Sequence, residues 1–145
     1  MDRGVAVLLT AAVGGLIAMQ PPVNAGLARA TGSFPAAFVS FLVGTVLLGA
    51  IVVATGKAGQ TASVLDVRWY YLLGGVLGLL YVTTALVTVK TIGAGGVAAA
   101  TITGQLTMAV VLDRVGFLGL EQVPVTPLRL VGVALLLTGT YLVVR

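Results

Sequence analysis

The 145-residue sequence contains no cysteine and no histidine. Their absence excludes disulfide cross-links, thiol nucleophiles, thioether haem attachment and the usual zinc-ligand sets together. Charge is also scarce. Only 8% of the residues are Asp, Glu, Lys or Arg, against about 25% in an ordinary soluble domain. Such a chain cannot cover a water-facing surface. The net charge of +4 comes from eight Lys and Arg residues scattered between apolar runs, as flanking charges of membrane spans are. Nucleic-acid binding would need them clustered on one face, so it is excluded as well.

Apolar surface takes the place of charge: 59% of residues are hydrophobic and 20 are glycine, and the mean hydropathy is +1.14. Lipid is the solvent that accepts this surface at least cost. A crossing needs roughly 20 apolar residues, and five uncharged runs qualify or come close. The first extends from Gly4 to Ala28 and carries Gln20-Pro21-Pro22, where a helix should be interrupted. An apolar stretch behind Arg3 also fits a signal peptide; an uncleaved first span is the expectation. The second runs from Ala30 to Gly56, its helix expected to begin near Pro35 with Ser33 as cap, and Lys57 closes it. Residues 57–68 read as a polar connection. The third span starts at the interfacial cluster Trp69-Tyr70-Tyr71, continues to Val89 and ends at Lys90. The fourth covers Ile92 to Leu112, before Asp113 and Arg114. The fifth is Leu128 to Val144, started by Pro127, with Arg129 expected to snorkel to the headgroups and Arg145 at its end.

These runs are continuously apolar, whereas barrel strands alternate. The expectation is therefore an all-α integral membrane protein, residues 1–145 forming a single domain of five transmembrane helices. An odd number of spans puts the termini on opposite sides. Arg3, Lys57, Arg68, Arg114 and Arg129 then share one side and Arg29, Lys90 and Arg145 the other. Five against three favours a cytoplasmic N-terminus. So small a bias also allows insertion both ways round and antiparallel pairing into a ten-helix unit.

Small residues within spans let helices approach closely. Candidate packing or gating positions are Ser40 with Gly44, Gly74 with Gly78, the track Gly96, Ala100 and Gly104, and the helix-breaking Pro21 and Pro22. Polar residues at membrane depth need partners and are the candidates for a substrate pathway. They are Gln20 and Asn24, four residues apart but with the intervening prolines expected to distort their register, Tyr81 in the third span, and Thr101 with Gln105 in the fourth. Threonine hydroxyls are weaker markers because they can bond their own helix. No Asp or Glu lies in the middle of a span. That argues against proton coupling through a buried carboxylate and for a neutral or weakly polar solute. Asp113, at a span edge beside Arg114, is expected to be solvated or paired.

The stretch Gly15-Leu-Ile-Ala-Met-Gln-Pro-Pro-Val-Asn-Ala-Gly-Leu27 resembles the start of the YdcZ family of small bacterial inner-membrane proteins, in the drug/metabolite transporter superfamily. Ala37-Phe-Val-Ser-Phe-Leu-Val-Gly-Thr45, Trp69-Tyr-Tyr-Leu-Leu-Gly-Gly-Val-Leu-Gly-Leu-Leu-Tyr-Val82, Gly104-Gln-Leu106, Asp113-Arg-Val-Gly116 and Arg129-Leu-Val-Gly132 continue the resemblance along the chain. It implies a unit similar to one half of the ten-helix EamA-type transporters, completed by a second copy or by a related chain. Small multidrug relatives use a glutamate in the first helix; Gln20 and Asn24 stand in the first segment here, so their cation–proton mechanism does not carry over.

The leading expectation is thus a dimeric exporter working by alternating access in the bacterial inner membrane, with lipid and an unidentified solute as further partners. No cofactor, metal or catalytic residue is expected. The alternatives are a membrane subunit that completes a transporter with a related chain, and a passive channel.

Overall fold

A computed structural model describes residues 2–119 and 121–145, and the regular elements among them are all helical. The α-helices are α1 (Arg3–Ile17), α2 (Gln20–Thr31), α3 (Ser33–Ala54), α4 (Leu73–Val115) and α5 (Pro127–Val144), with 3-10 helices at Ala58–Asp66, Trp69–Leu72 and Phe117–Gly119. Four stretches are long and apolar enough to cross a membrane: Arg3–Thr31, Ser33–Ala54, Trp69–Val115 and Pro127–Val144. Within the chain, no more than 17% of any of their most apolar windows is buried. Most of this surface is therefore left to lipid or to another protein. The chain is an all-α, multi-pass membrane protein.

Two compact units divide the residues, Met19–Lys90 in one and Met1–Ala18 with Thr91–Arg145 in the other. In the second of these, Asp2 caps α1 by accepting hydrogen bonds from the Gly4 and Val5 amides.

The first apolar segment is interrupted, as its prolines require, but upstream of them. Pro21 and Pro22 have no amide hydrogen, so the carbonyls of Ile17 and Ala18 lose their usual donors four residues on. The break in hydrogen bonding accordingly falls at Ala18 and Met19, while both prolines sit in the first turn of α2, where a missing donor costs nothing. Ala18 (φ −63°, ψ −20°) and Met19 (φ −78°, ψ −20°) keep near-helical angles.

The next boundary differs from expectation. The residue that caps α3 is Gly32 rather than Ser33, and the helix begins at Ser33 rather than near Pro35. Gly32 has φ 90° and ψ 163°, a region open essentially to glycine alone. One such residue separates α2 from α3, and Pro35 falls in the first turn of α3. Around this turn the first unit builds its core from Ala28, Ala36, Ala37, Val82 and Leu86, with Leu27 and Tyr81 packed against it. Three alanines in that core bring the backbones close. Gly78 serves the same purpose further along: a Cβ there would stand 3.5 Å from the Phe41 ring.

The expected third and fourth spans lie in one 43-residue element, α4, which continues past Lys90. Its regular geometry is interrupted at Gly93, where φ is 70° and ψ 171°. This is the conformation of Gly32 over again.

In the other unit the C-terminal part of α4 packs antiparallel to α5. Gly96 lies beside Val144, Thr140 donates to the Ala99 carbonyl, Thr103 meets Leu136 and Thr140, and Asp113 meets Arg129. Each step along α4 thus matches a step backwards along α5. Thr126 caps α5 by accepting from the Arg129 amide, and Pro127 takes the first helical position.

Gly32→Ala and Gly93→Ala should each destabilise the protein by ~1–3 kcal/mol. A Cβ at Gly93 meets open space, so the cost there is one of backbone angle. Gly49→Ala, also into open space but within a regular helix, should be neutral or stabilising. Thermal unfolding of the three variants in detergent distinguishes them.

Candidate functional site

The prolines set the register of the polar residues that follow. With the interruption displaced to Ala18 and Met19, Gln20 and Asn24 both belong to the regular helix α2. The expected distortion between them is absent, and four-residue spacing puts them on one face. The buried stripe of α2 comprises Pro21, Asn24, Ala25 and Ala28, so Asn24 is one turn from a core alanine. Asn24 is 5% exposed, and among the described residues its Nδ2 finds no hydrogen-bond partner. A buried amide donor left unpaired costs of the order of 1–3 kcal/mol. Gln20 is half-buried.

Tyr81, also half-buried, leans on the core to which Ala28 contributes. Two residues on, the Thr83 hydroxyl is buried without a partner among the described residues. Gln20, Asn24 and Tyr81 thus belong to the Met19–Lys90 unit. They form an uncharged set that can donate and accept hydrogen bonds, and none of the three is a nucleophile activated by a neighbouring base.

Thr101 and Gln105 belong to the other unit. They share a face of α4 by their spacing; Thr101 is half-buried and Gln105 exposed. Thr103, two residues from each, turns the opposite way and is buried against α5. Of the small-residue track, Gly96 lies against Val144, while Ala100 and Gly104 are exposed. The face that meets α5 runs instead through Gly96, Ala99 and Thr103, because a strict four-residue step drifts off a helix with 3.6 residues per turn. Gly78 packs beside Phe41, and Gly74 borders open space. Ser40 and Gly44 are half-buried.

Two polar contacts have partners that the sequence did not indicate. The first is the Thr103–Thr140 pair: the Thr103 hydroxyl donates to Thr140, which in turn donates to the Ala99 carbonyl at 3.0 Å, and the Leu136 carbonyl stands 3.4 Å from the Thr103 hydroxyl. In sequence these threonines look no different from Thr138, whose hydroxyl serves the Ala134 carbonyl of its own helix. The second is an ion pair, Arg129 Nη2 to Asp113 Oδ2 at 3.1 Å. Arg129 was expected to reach for the headgroups; it turns to Asp113 because the register of α5 brings that carboxylate to the first turn. Among the described residues no group of His, Cys, Asp and Glu side chains could hold a metal ion.

Thr103→Val and Thr140→Val should each cost about 1 kcal/mol of stability. The double variant should cost less than their sum, since each single change already breaks the shared bond. A double-mutant cycle of thermal unfolding in detergent measures the coupling.

Neither a curated protein nor a solved structure matches the chain. Residues 5–142 match the family described as "Putative inner membrane exporter, YdcZ". These apolar helices, with polar side chains inside them, belong to a multi-pass transporter of the bacterial inner membrane, a member of the YdcZ family in the drug/metabolite transporter superfamily.

Proposed function

We propose that the chain is one five-span half of an exporter that moves a small neutral or weakly polar solute by alternating access. The observation that carries the substrate class is Asn24, a sealed amide with no partner among the described residues, next to a proline-interrupted stretch of helix. An unpaired amide at membrane depth is costly, and a solute that bonds to it in passing removes the cost. Gln20 and Tyr81 extend this uncharged lining within the Met19–Lys90 unit, and Thr101 and Gln105 are pathway candidates of the same uncharged kind in the other. Asp113 takes no part in coupling in this reading, being paired with Arg129.

Two features support five crossings. The 47-residue stretch Trp69–Val115 is about 70 Å long as a helix, more than twice the roughly 30 Å of hydrocarbon. Its interruption at Gly93 has nearly the angles of Gly32, the single residue between the packed helices α2 and α3. Five crossings put the termini on opposite sides. A reporter fused to one end and then to the other should therefore give opposite compartment readings; the same reading from both would leave an even number of crossings.

The second half is an antiparallel copy, favoured by the near balance of flanking charges and by the large apolar surface that the chain leaves uncovered. Inverted halves rocking about a midplane site are a physical route to alternating access. A related chain could cover the same surface, in which case transport appears only on co-expression. Asn24→Leu tests the lining. Replacing an unpaired amide by an apolar group of similar shape should leave expression and thermal stability unchanged or raised, while solute flux in a proteoliposome screen falls severalfold. Equal loss of folding and flux would return Asn24 to a structural role.

A further inference from the structure

Residues 58–66 read in sequence as part of a polar connection, yet they form a continuous 3-10 helix of nine residues. Such helices seldom exceed three or four residues, so this one calls for an environment that suits it. With three residues per turn its side chains fall into three columns. Gln60, Ser63 and Asp66 make one wholly polar ridge. The other two columns are Ala58, Thr61 and Val64, and Gly59, Ala62 and Leu65. Thr61 is the one polar side chain in them, and its hydroxyl is bonded inward to the Ala58 carbonyl at 2.6 Å. The helix is therefore two-sided at a period of three.

The apolar side is uncovered. Leu65 is 87% exposed, and Val64, Val67 and Trp69 are exposed beside it. Cations bracket the element: Lys57 precedes it, and Arg68 follows, donating to the Tyr70 hydroxyl at 2.9 Å while its guanidinium stands 6.0 Å from the Tyr70 ring centre. Both ends run directly into apolar spans, α3 before it and the stretch from Trp69 after it.

The geometry points to a lipid-docking element. The 3-10 helix lies flat in the headgroup layer, with Leu65 and Val64 toward the acyl chains, the Gln60–Ser63–Asp66 ridge toward water, and Lys57 and Arg68 on the phosphates of anionic phospholipids. Its occupant is the bilayer surface that the flanking spans already cross, and the assignment is independent of what the protein transports. Amphipathic segments with cationic flanks bind such surfaces by apolar burial together with attraction to anionic lipid.

The lack of native cysteine allows nitroxide labels to be placed singly, at Leu65→Cys and at Ser63→Cys, in the full chain reconstituted into phosphatidylcholine vesicles with or without phosphatidylglycerol. Dissolved oxygen should relax the label at 65 severalfold more effectively than a water-soluble nickel chelate, and the preference should reverse at 63. Phosphatidylglycerol should deepen the label at 65, and Lys57→Gln with Arg68→Gln should abolish that shift. Equal access of the nickel chelate to both labels overturns the docking, and a depth indifferent to anionic lipid overturns the headgroup preference. The unlabelled chain provides a check free of substitution. Trp69 is the sole tryptophan; brominated phospholipid should quench its emission and aqueous acrylamide should not, and the opposite result counts against the proposal.

Discussion

A peptide carbonyl inside hydrocarbon has no water to turn to, so each one must find its donor within the protein. That constraint makes every described regular element here helical, and it gives the interruptions their meaning. Pro21 and Pro22 withdraw donors from Ile17 and Ala18, and the hydrogen-bond ladder gives way just there. The chain limits the damage by keeping near-helical angles through Ala18 and Met19 and by setting both prolines in a first turn. The consequence reaches the candidate site, because α2 restarts at Gln20 and so fixes Gln20 and Asn24 on one face.

Packing between helices cannot rest on hydrophobic exclusion, since lipid is as apolar as leucine. It rests on close approach and on a few hydroxyls. Ala28, Ala36 and Ala37 bring α2 and α3 together, and Gly78 admits the Phe41 ring. On the far side of Gly93, Gly96 admits Val144, and Thr103 and Thr140 bond across to α5.

The distribution of charge follows the same logic. The ion pair Asp113–Arg129 stands where α4 ends and α5 begins; both side chains keep partial access to solvent, so the pair fixes register more than it adds stability. The candidate pathway groups on the helices are amides, a phenol and hydroxyls. Such groups can exchange hydrogen bonds without holding a fixed charge.

Membrane residence, helical class and family could be read from residues alone, because lipid imposes a composition and proline and glycine act locally. The run lengths located the apolar segments, and Pro21-Pro22 announced an interruption. Local reading was less reliable at the boundaries: Gly32 rather than Ser33 caps α3, since the angles a glycine adopts are not written in its neighbours. For the same reason α4 passes Lys90 before breaking at Gly93. The candidate pathway residues could be named as polar groups at depth, but sequence does not say which way a side chain faces or whether its partner exists. Only the tertiary structure decided that Asn24 is buried with its Nδ2 unpaired among the described residues, that Thr140 crosses to α4 while Thr138 serves its own helix, and that Arg129 turns to Asp113. Those outcomes depend on the register between helices, which is set by shape and close contact along whole faces and not by any short stretch of chain.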